Sequence, residues 1–127
     1  MKPSIRKIMV VDDSPTDLAF LESVLTKGGF QVTAVASGEA AIARSAAEQP
    51  DLILMDLVMP GVNGFQATRA ITRAAATLHI PVVICSSKDQ DTDKIWGMRQ
   101  GATAYLTKPV VESELMAAIS AASKRTG

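Results

Sequence analysis

An α/β fold built on a parallel sheet is what this sequence predicts, and three observations predict it. Five short apolar runs alternate with five stretches of helical periodicity along 127 residues. Two of the runs, Leu52-Ile53-Leu54-Met55 and Pro81-Val82-Val83-Ile84-Cys85, are continuous rather than alternating, as strands buried on both faces are. Polar residues follow four of the runs: Asp12-Asp13, Asp56, Ser86-Ser87 and Lys108. In an open parallel sheet those positions share the edge at which ligands bind.

Each element has its own reason. Ile8-Met9-Val10-Val11 is the first strand and ends at Asp12-Asp13. A helix starts at Ser14, a capping residue, with Pro15 at its first position and Asp17 where the acid of a capping box would stand. Leu18, Leu21, Val24 and Leu25 recur at helical spacing until Gly28-Gly29 stops the helix. Residues 31–36 alternate weakly and predict a short, less buried strand. Ser37 caps a second helix that runs to about Glu48, before Pro50. The third strand delivers Asp56, and residues 60–64 (PGVNG) form a turn. Phe65, Thr68, Ile71 and Ala75 share a face of the third helix, and the threonines and arginines at 68, 69, 72 and 73 are expected as a solvated surface.

The fourth strand follows Pro81. A shorter, polar helix is predicted over residues 89–100, interrupted by Gly97 and stopped by Gly101; a helical glycine costs ~1 kcal/mol relative to alanine. Its Trp96 is expected as a half-buried packing residue. Ala104-Tyr105-Leu106-Thr107 is the fifth strand, ending at Lys108-Pro109. Leu115, Ala118, Ile119 and Ala122 mark the last helix, with Glu112 and Glu114 favourable near its positive end and no capping side chain at Val111.

The totals restrict the function. The length suits one domain over residues 1–127, with no linker and no output domain. Zero formal net charge argues against a nucleic-acid partner. Cys85, a lone cysteine within an apolar run, reads as a small buried hydrophobe and leaves no internal disulfide and no cysteine metal cluster. No apolar run reaches the ~20 residues of a membrane span. The basic stretch Met1 to Lys7 precedes only four apolar residues, too few for a signal peptide, so a cytoplasmic protein is expected.

Three carboxylates at one sheet edge repel unless a cation joins them, and Mg²⁺ prefers oxygen ligands. Lys108 opposite them would balance charge and grip an incoming anion, and a serine hydroxyl would donate to it. No histidine or cysteine is placed to activate a serine; His79 lies at the other end of the sheet. The nucleophile is therefore a carboxylate, and its natural electrophile a phosphoryl group.

Asp12-Asp13, Asp56, the turn from Asp56 through Pro60-Gly61 to Asn63-Gly64, Ser86, and Tyr105 with Lys108-Pro109 together resemble the receiver domains of two-component response regulators (CheY-like). The resemblance covers the whole chain. It implies a flavodoxin-like (βα)5 doubly wound sheet of order 2-1-3-4-5 and a cis Lys108-Pro109 bond. It also implies roles. Asp56 is the phosphoacceptor; Asp12, Asp13 and Asp56 hold Mg²⁺ with the Val58 carbonyl; Lys108 binds phosphoryl oxygens; Ser86, in preference to Ser87, is the switch hydroxyl; Tyr105 is the aromatic that follows it. The implied partners are a sensor histidine kinase and a downstream protein on the face formed by helix four, strand five and helix five. The product would be a signalling module rather than an enzyme, catalysing its own phosphorylation and dephosphorylation.

Residues 58–69, 88–97, 99–102 and 105–110 further resemble the stand-alone receivers of type IV pilus (twitching-motility) chemosensory systems, whose kinase is a CheA-like hybrid. Val58 and Lys88 depart from the best-known chemotaxis receivers, in which a polar side chain or an acid stands at those positions. Three rivals remain: a phosphate sink draining a shared kinase, a Mg²⁺-dependent aspartyl phosphatase, and a flavodoxin-like cofactor binder. The phosphatase needs a second acid where Val58 stands. The flavin binder needs a glycine- and hydroxyl-rich first loop, and residues 12–17 are acidic instead.

Overall fold

The computed structural model describes residues 5–125. Strands and helices alternate: β1 (Lys7–Val11), α1 (Pro15–Lys27), β2 (Gln31–Val35), α2 (Gly38–Glu48), β3 (Leu52–Met55), α3 (Gly64–Arg73), β4 (Val82–Ser86), α4 (Asp91–Arg99), β5 (Ala104–Thr107) and α5 (Glu112–Arg125). The strands form one parallel sheet, as the sequence predicts, in the order β2-β1-β3-β4-β5 that the resemblance implies. The basic N-terminal residues 1–4 lie outside the described residues.

Burial follows strand position. All four residues of β3, at the centre of the sheet, are buried, whereas edge strand β2 reaches full burial only at Val35. One apolar layer packs Ile8, Val10, Leu52, Leu54 and Val83 against Leu21, Leu25, Leu115 and Ile119 of α1 and α5. The opposite layer packs Met9, Val11, Ile53, Met55 and Val82 against Ala41 of α2 and Ala67 and Ile71 of α3. Successive residues of a strand point to opposite faces, so a continuous apolar run feeds both layers at once.

Register brings the strand ends together. Val11 pairs with both Val35 and Met55, Met55 with Ile84, and Ser86 with Thr107. The ladder extends past the strands: Asp12 N–H donates to Val35 O, Asp56 N–H to Val11 O, and Lys108 N–H to Ser86 O, at 3.1, 2.9 and 2.9 Å. These bonds place Asp12, Asp56 and Lys108 at one edge.

Four local expectations need correction. The third helix ends at Arg73, with Ala74 extended, so exposed Ala75 is not on its buried face. Thr68 is fully buried, and Thr72 Oγ1 donates toward Thr68 O and Gln100 O at 2.8 and 2.7 Å, so neither belongs to a solvated surface. Gly97 does not interrupt α4. A Cβ there would stand 2.7 Å from Ile84 Cδ1 and 3.2 Å from the Tyr105 ring, so the glycine lets the helix lie close over β4 and β5. Trp96 is half-buried at 49% exposure, but it joins none of the core clusters and stands beside exposed Ile95 and Met98.

Candidate functional site

Four segments build an open cleft at the carboxyl edge of the sheet. Asp12 and Asp13 come from the end of β1, Ser14 and Asp17 from the start of α1, Asp56 and Val58 from the end of β3, and Ser87, Lys108 and Pro109 from the loops after β4 and β5. Its volume is about 460 Å³. Carboxylate oxygens of Asp12, Asp13 and Asp56 lie within 4.8 Å of one another. Asp12 and Asp56 are buried and Asp13 is exposed, so the cluster has a dry floor and a wet rim.

Lys108 joins these acids. Its Nζ donates to Asp12 Oδ2 at 2.6 Å and Asp17 Oδ2 at 2.8 Å, and stands 3.3 Å from Asp56 Oδ1. The Lys108-Pro109 bond is cis. Burial opposes the charge on Lys108, but the hydrogen bonds to Asp12 and Asp17 and the attraction of Asp56 outweigh it, holding the ammonium above its ordinary value. Burial, and then the charge of Asp12, raise Asp56 above 3.8; Lys108 and the Leu57 N–H pull the other way. Asp56 is therefore a carboxylate short of compensation, which a divalent cation would correct. An all-oxygen set of three carboxylates fits a hard cation such as Mg²⁺.

The turn after Asp56 depends on a glycine. A Cβ at Gly64 would overlap the Asp56 carbonyl oxygen and come within 2.7 Å of Leu57 Cα. The first residue of α3 thus rests directly on the backbone that carries Asp56. Asn63 and Gln66 close a reciprocal capping box, which fixes the entry of that helix.

The two serines diverge. Ser86 is fully buried, and its Oγ accepts from Lys88 N–H at 3.2 Å. Ser87 is exposed and lines the cleft. Tyr105 is half-buried, and its hydroxyl donates to Lys88 O at 2.6 Å. Burial pushes the Tyr105 phenol above its ordinary value; the Ser86 hydroxyl opposes this, and Asp93, Asp89 and Asp56 add to it. Ser86 and Tyr105 thus meet at the same segment, the backbone of Lys88. Val58 is 55% exposed at the mouth of the cleft.

Sequence reasoning missed the position of Asp17. It does not close a capping box: Ser14 N–H is taken by Asp12 Oδ1 at 2.9 Å, and the Asp17 carboxylate turns to Lys108. Ser14 does cap α1, accepting from Asp17 N–H at 3.3 Å. The available signal was position, since α1 begins at the sheet edge and its first turn overlooks the cleft. His79 sits away from the cleft, sharing a 2.8 Å hydrogen bond with Gln49 Oε1.

The response regulator receiver domain family matches residues 8–120. Protein PilH of Pseudomonas aeruginosa is 53% identical over 115 residues, which cover 91% of this chain and 95% of that protein. Protein PilG of the same organism is 39% identical over 115 residues, covering 91% and 85%. Among solved structures, one similar fold is the receiver domain of a Pseudomonas aeruginosa sensor histidine kinase with a magnesium ion coordinated in its active-site cleft. Its TM-score is 0.87 at 28% identity, covering 94% of this chain and 98% of that one. Vibrio cholerae chemotaxis protein CheY4 gives a TM-score of 0.86 at 25% identity, covering 94% and 99%.

Proposed function

This chain belongs to the response regulator receiver family, and on that premise we propose that Asp56 accepts a phosphoryl group from a histidine kinase. The observation that carries the reading is the cluster itself: three carboxylates within 4.8 Å of one another, with the Lys108 ammonium against Asp12 and Asp56. Attack on a phosphoryl group uses all four side chains together.

In the proposed step an Asp56 oxygen attacks the phosphorus of a phosphohistidine in line. The P–N bond breaks as the P–O bond forms, and the leaving imidazole nitrogen keeps the electron pair and takes a proton from solvent. Asp12, Asp13 and Asp56, with the Val58 carbonyl, would hold Mg²⁺, whose charge when bound offsets that on the phosphoryl oxygens. Lys108 grips one of those oxygens. Ser86 gives up the Lys88 N–H for another, and the loop carrying Lys88 moves with it. Tyr105, bonded to the carbonyl of the same residue, follows. That movement changes the face of α4, β5 and α5, where Ile95, Trp96 and Met98 are exposed, and with it the affinity for a protein target.

Likeness to PilH and PilG supports a role in type IV pilus and chemosensory signalling, with a CheA-like kinase as donor, in the cytoplasm. Among the described residues no helix is long and apolar enough to cross a membrane. The protein acts as a signalling module. An aspartyl phosphatase is disfavoured by Val58, an apolar and exposed side chain where that chemistry requires an acid.

Intact mass after incubation with acetyl phosphate and Mg²⁺ tests the reading, beside an Asp56→Asn variant. The expected result is a gain of one phosphoryl group that needs both Mg²⁺ and Asp56. A gain that persists in the variant would place the chemistry on another residue. The decay time of the product then separates a lasting signal from a phosphate sink.

A further inference from the structure

Resting on the receiver reading, we propose that Asp17 is a latch on Lys108 that restrains charging of Asp56 by small anionic phosphodonors. The receiver chemistry assigns Asp17 no role, yet its carboxylate makes one of the two short contacts of the Lys108 ammonium. The Asp17 bond, at 2.8 Å, is nearly as short as the Asp12 bond at 2.6 Å. The distance to Asp56, which must carry the phosphoryl group, is longer at 3.3 Å. The resting ammonium is therefore drawn toward the α1 side of the cleft.

An ammonium has three N–H donors. In this structure two of them are taken by Asp12 and Asp17, and Asp56 stands 3.3 Å from the same nitrogen. A phosphoryl oxygen arriving at Lys108 must displace one of these carboxylates or share an N–H with it. Asp12 and Asp56 belong to the metal-binding set, so Asp17 is the free competitor.

Position adds a second effect of the same sign. Asp17 stands on the wall between the acidic cleft and a neighbouring groove lined by Thr16, Phe20, Leu21, Pro109 and Val110. Its side chain is 42% exposed, so it faces an approaching donor. A phosphoryl oxygen bonded to the same Nζ would lie within about 6 Å of it, given hydrogen bonds of ~2.8 Å. Like charges at that distance, screened by partial exposure, change an association constant by roughly 3- to 10-fold. Asp17 thus holds the cation the donor needs and repels the donor's charge.

The test compares the parent with Asp17→Asn and Asp17→Glu variants. Charging by acetyl phosphate with Mg²⁺ is followed by intact mass over a range of donor concentrations and ionic strengths. The Lys108 ammonium is followed separately by ¹⁵N NMR in metal-free protein. The latch requires that Asp17→Asn charge about 3- to 10-fold more efficiently. The gain should come through a lower half-saturating donor concentration and a weaker salt dependence. Asp17→Glu should return toward the parent, and the Lys108 signal in Asp17→Asn should exchange faster with water. Unchanged or slower charging in Asp17→Asn overturns the latch, as does a gain that Asp17→Glu retains in full. If the folded parent takes no phosphoryl group from acetyl phosphate, there is no small-donor charging for Asp17 to restrain and the latch fails. A charged parent with an indifferent Asp17→Asn removes the latch alone.

Discussion

Asp56 shows how one buried side chain can weaken a fold. Its carboxyl titrates above 3.8 because it is buried beside Asp12. A carboxyl raised on folding stabilises most below its unfolded value, and that contribution is lost as pH rises through the folded value. Ionised Asp56 therefore costs stability at neutral pH when no metal is bound. Asp56→Asn should melt higher than the parent at pH 7 in EDTA, by on the order of a few degrees. The gap should narrow at acid pH, as the parent carboxyl takes up its proton. A gap that is the same at both pH values would mean that the charge is already compensated. Cys85 gives the opposite case, a group with no outlet to solvent. Burial pushes its thiol up to about 12, against the pull of Lys108. A thiol reagent at pH 8 should label Cys85 only as fast as the protein unfolds, and prompt labelling of the folded protein would contradict its burial.

At the scale of elements, two glycines set how closely helices approach the sheet, with unequal tolerance. Gly64 meets the backbone of Asp56 and Leu57, which cannot move without moving the site. Gly64→Ala should cost about 3 kcal/mol or more in urea unfolding and impair charging of whatever folds. Gly97 meets the Ile84 methyl and the Tyr105 ring, both able to rotate. Gly97→Ala should cost less, about 1–2 kcal/mol, offset in part by the better helix propensity of alanine. If the two variants were equally stable, the difference between backbone and side-chain contact would not be what limits helix approach. Helix propensity alone ranks these positions wrongly, because the deciding contact lies in another element.

On the scale of the molecule, zero net charge conceals a local excess. Asp12, Asp13, Asp17 and Asp56 line the cleft with one cation among the described residues, Lys108. Mg²⁺ should relieve that repulsion and stabilise the whole domain, because a ligand that binds only the folded state shifts unfolding by mass action. At a hundredfold excess over its dissociation constant the gain is about 2.7 kcal/mol. Calorimetry with and without Mg²⁺ checks this. The gain should vanish in Asp13→Asn, whose exposed side chain contributes nothing to the core. A gain undiminished in that variant would place the ion elsewhere.

The sequence by itself determined the alternation of elements, the parallel sheet and the acids at its edge. Those properties are local: an apolar run, a capping serine or a proline marks its own segment whatever the rest of the chain does. Asp12, Asp13, Asp56 and Lys108 were legible because strand ends in a parallel sheet share one edge. Tertiary structure decided which side chains meet there. Asp17 reads locally as a capping acid, but its partner lies 91 residues away and is reached only when the loop after β5 folds in toward the first turn of α1. Ser86 and Ser87 are adjacent in sequence, yet the pleat buries one and exposes the other to the cleft. Thr68 reads as a surface threonine and is buried. Composition and periodicity carry the folding pattern of a segment, but side-chain partners depend on how distant segments pack.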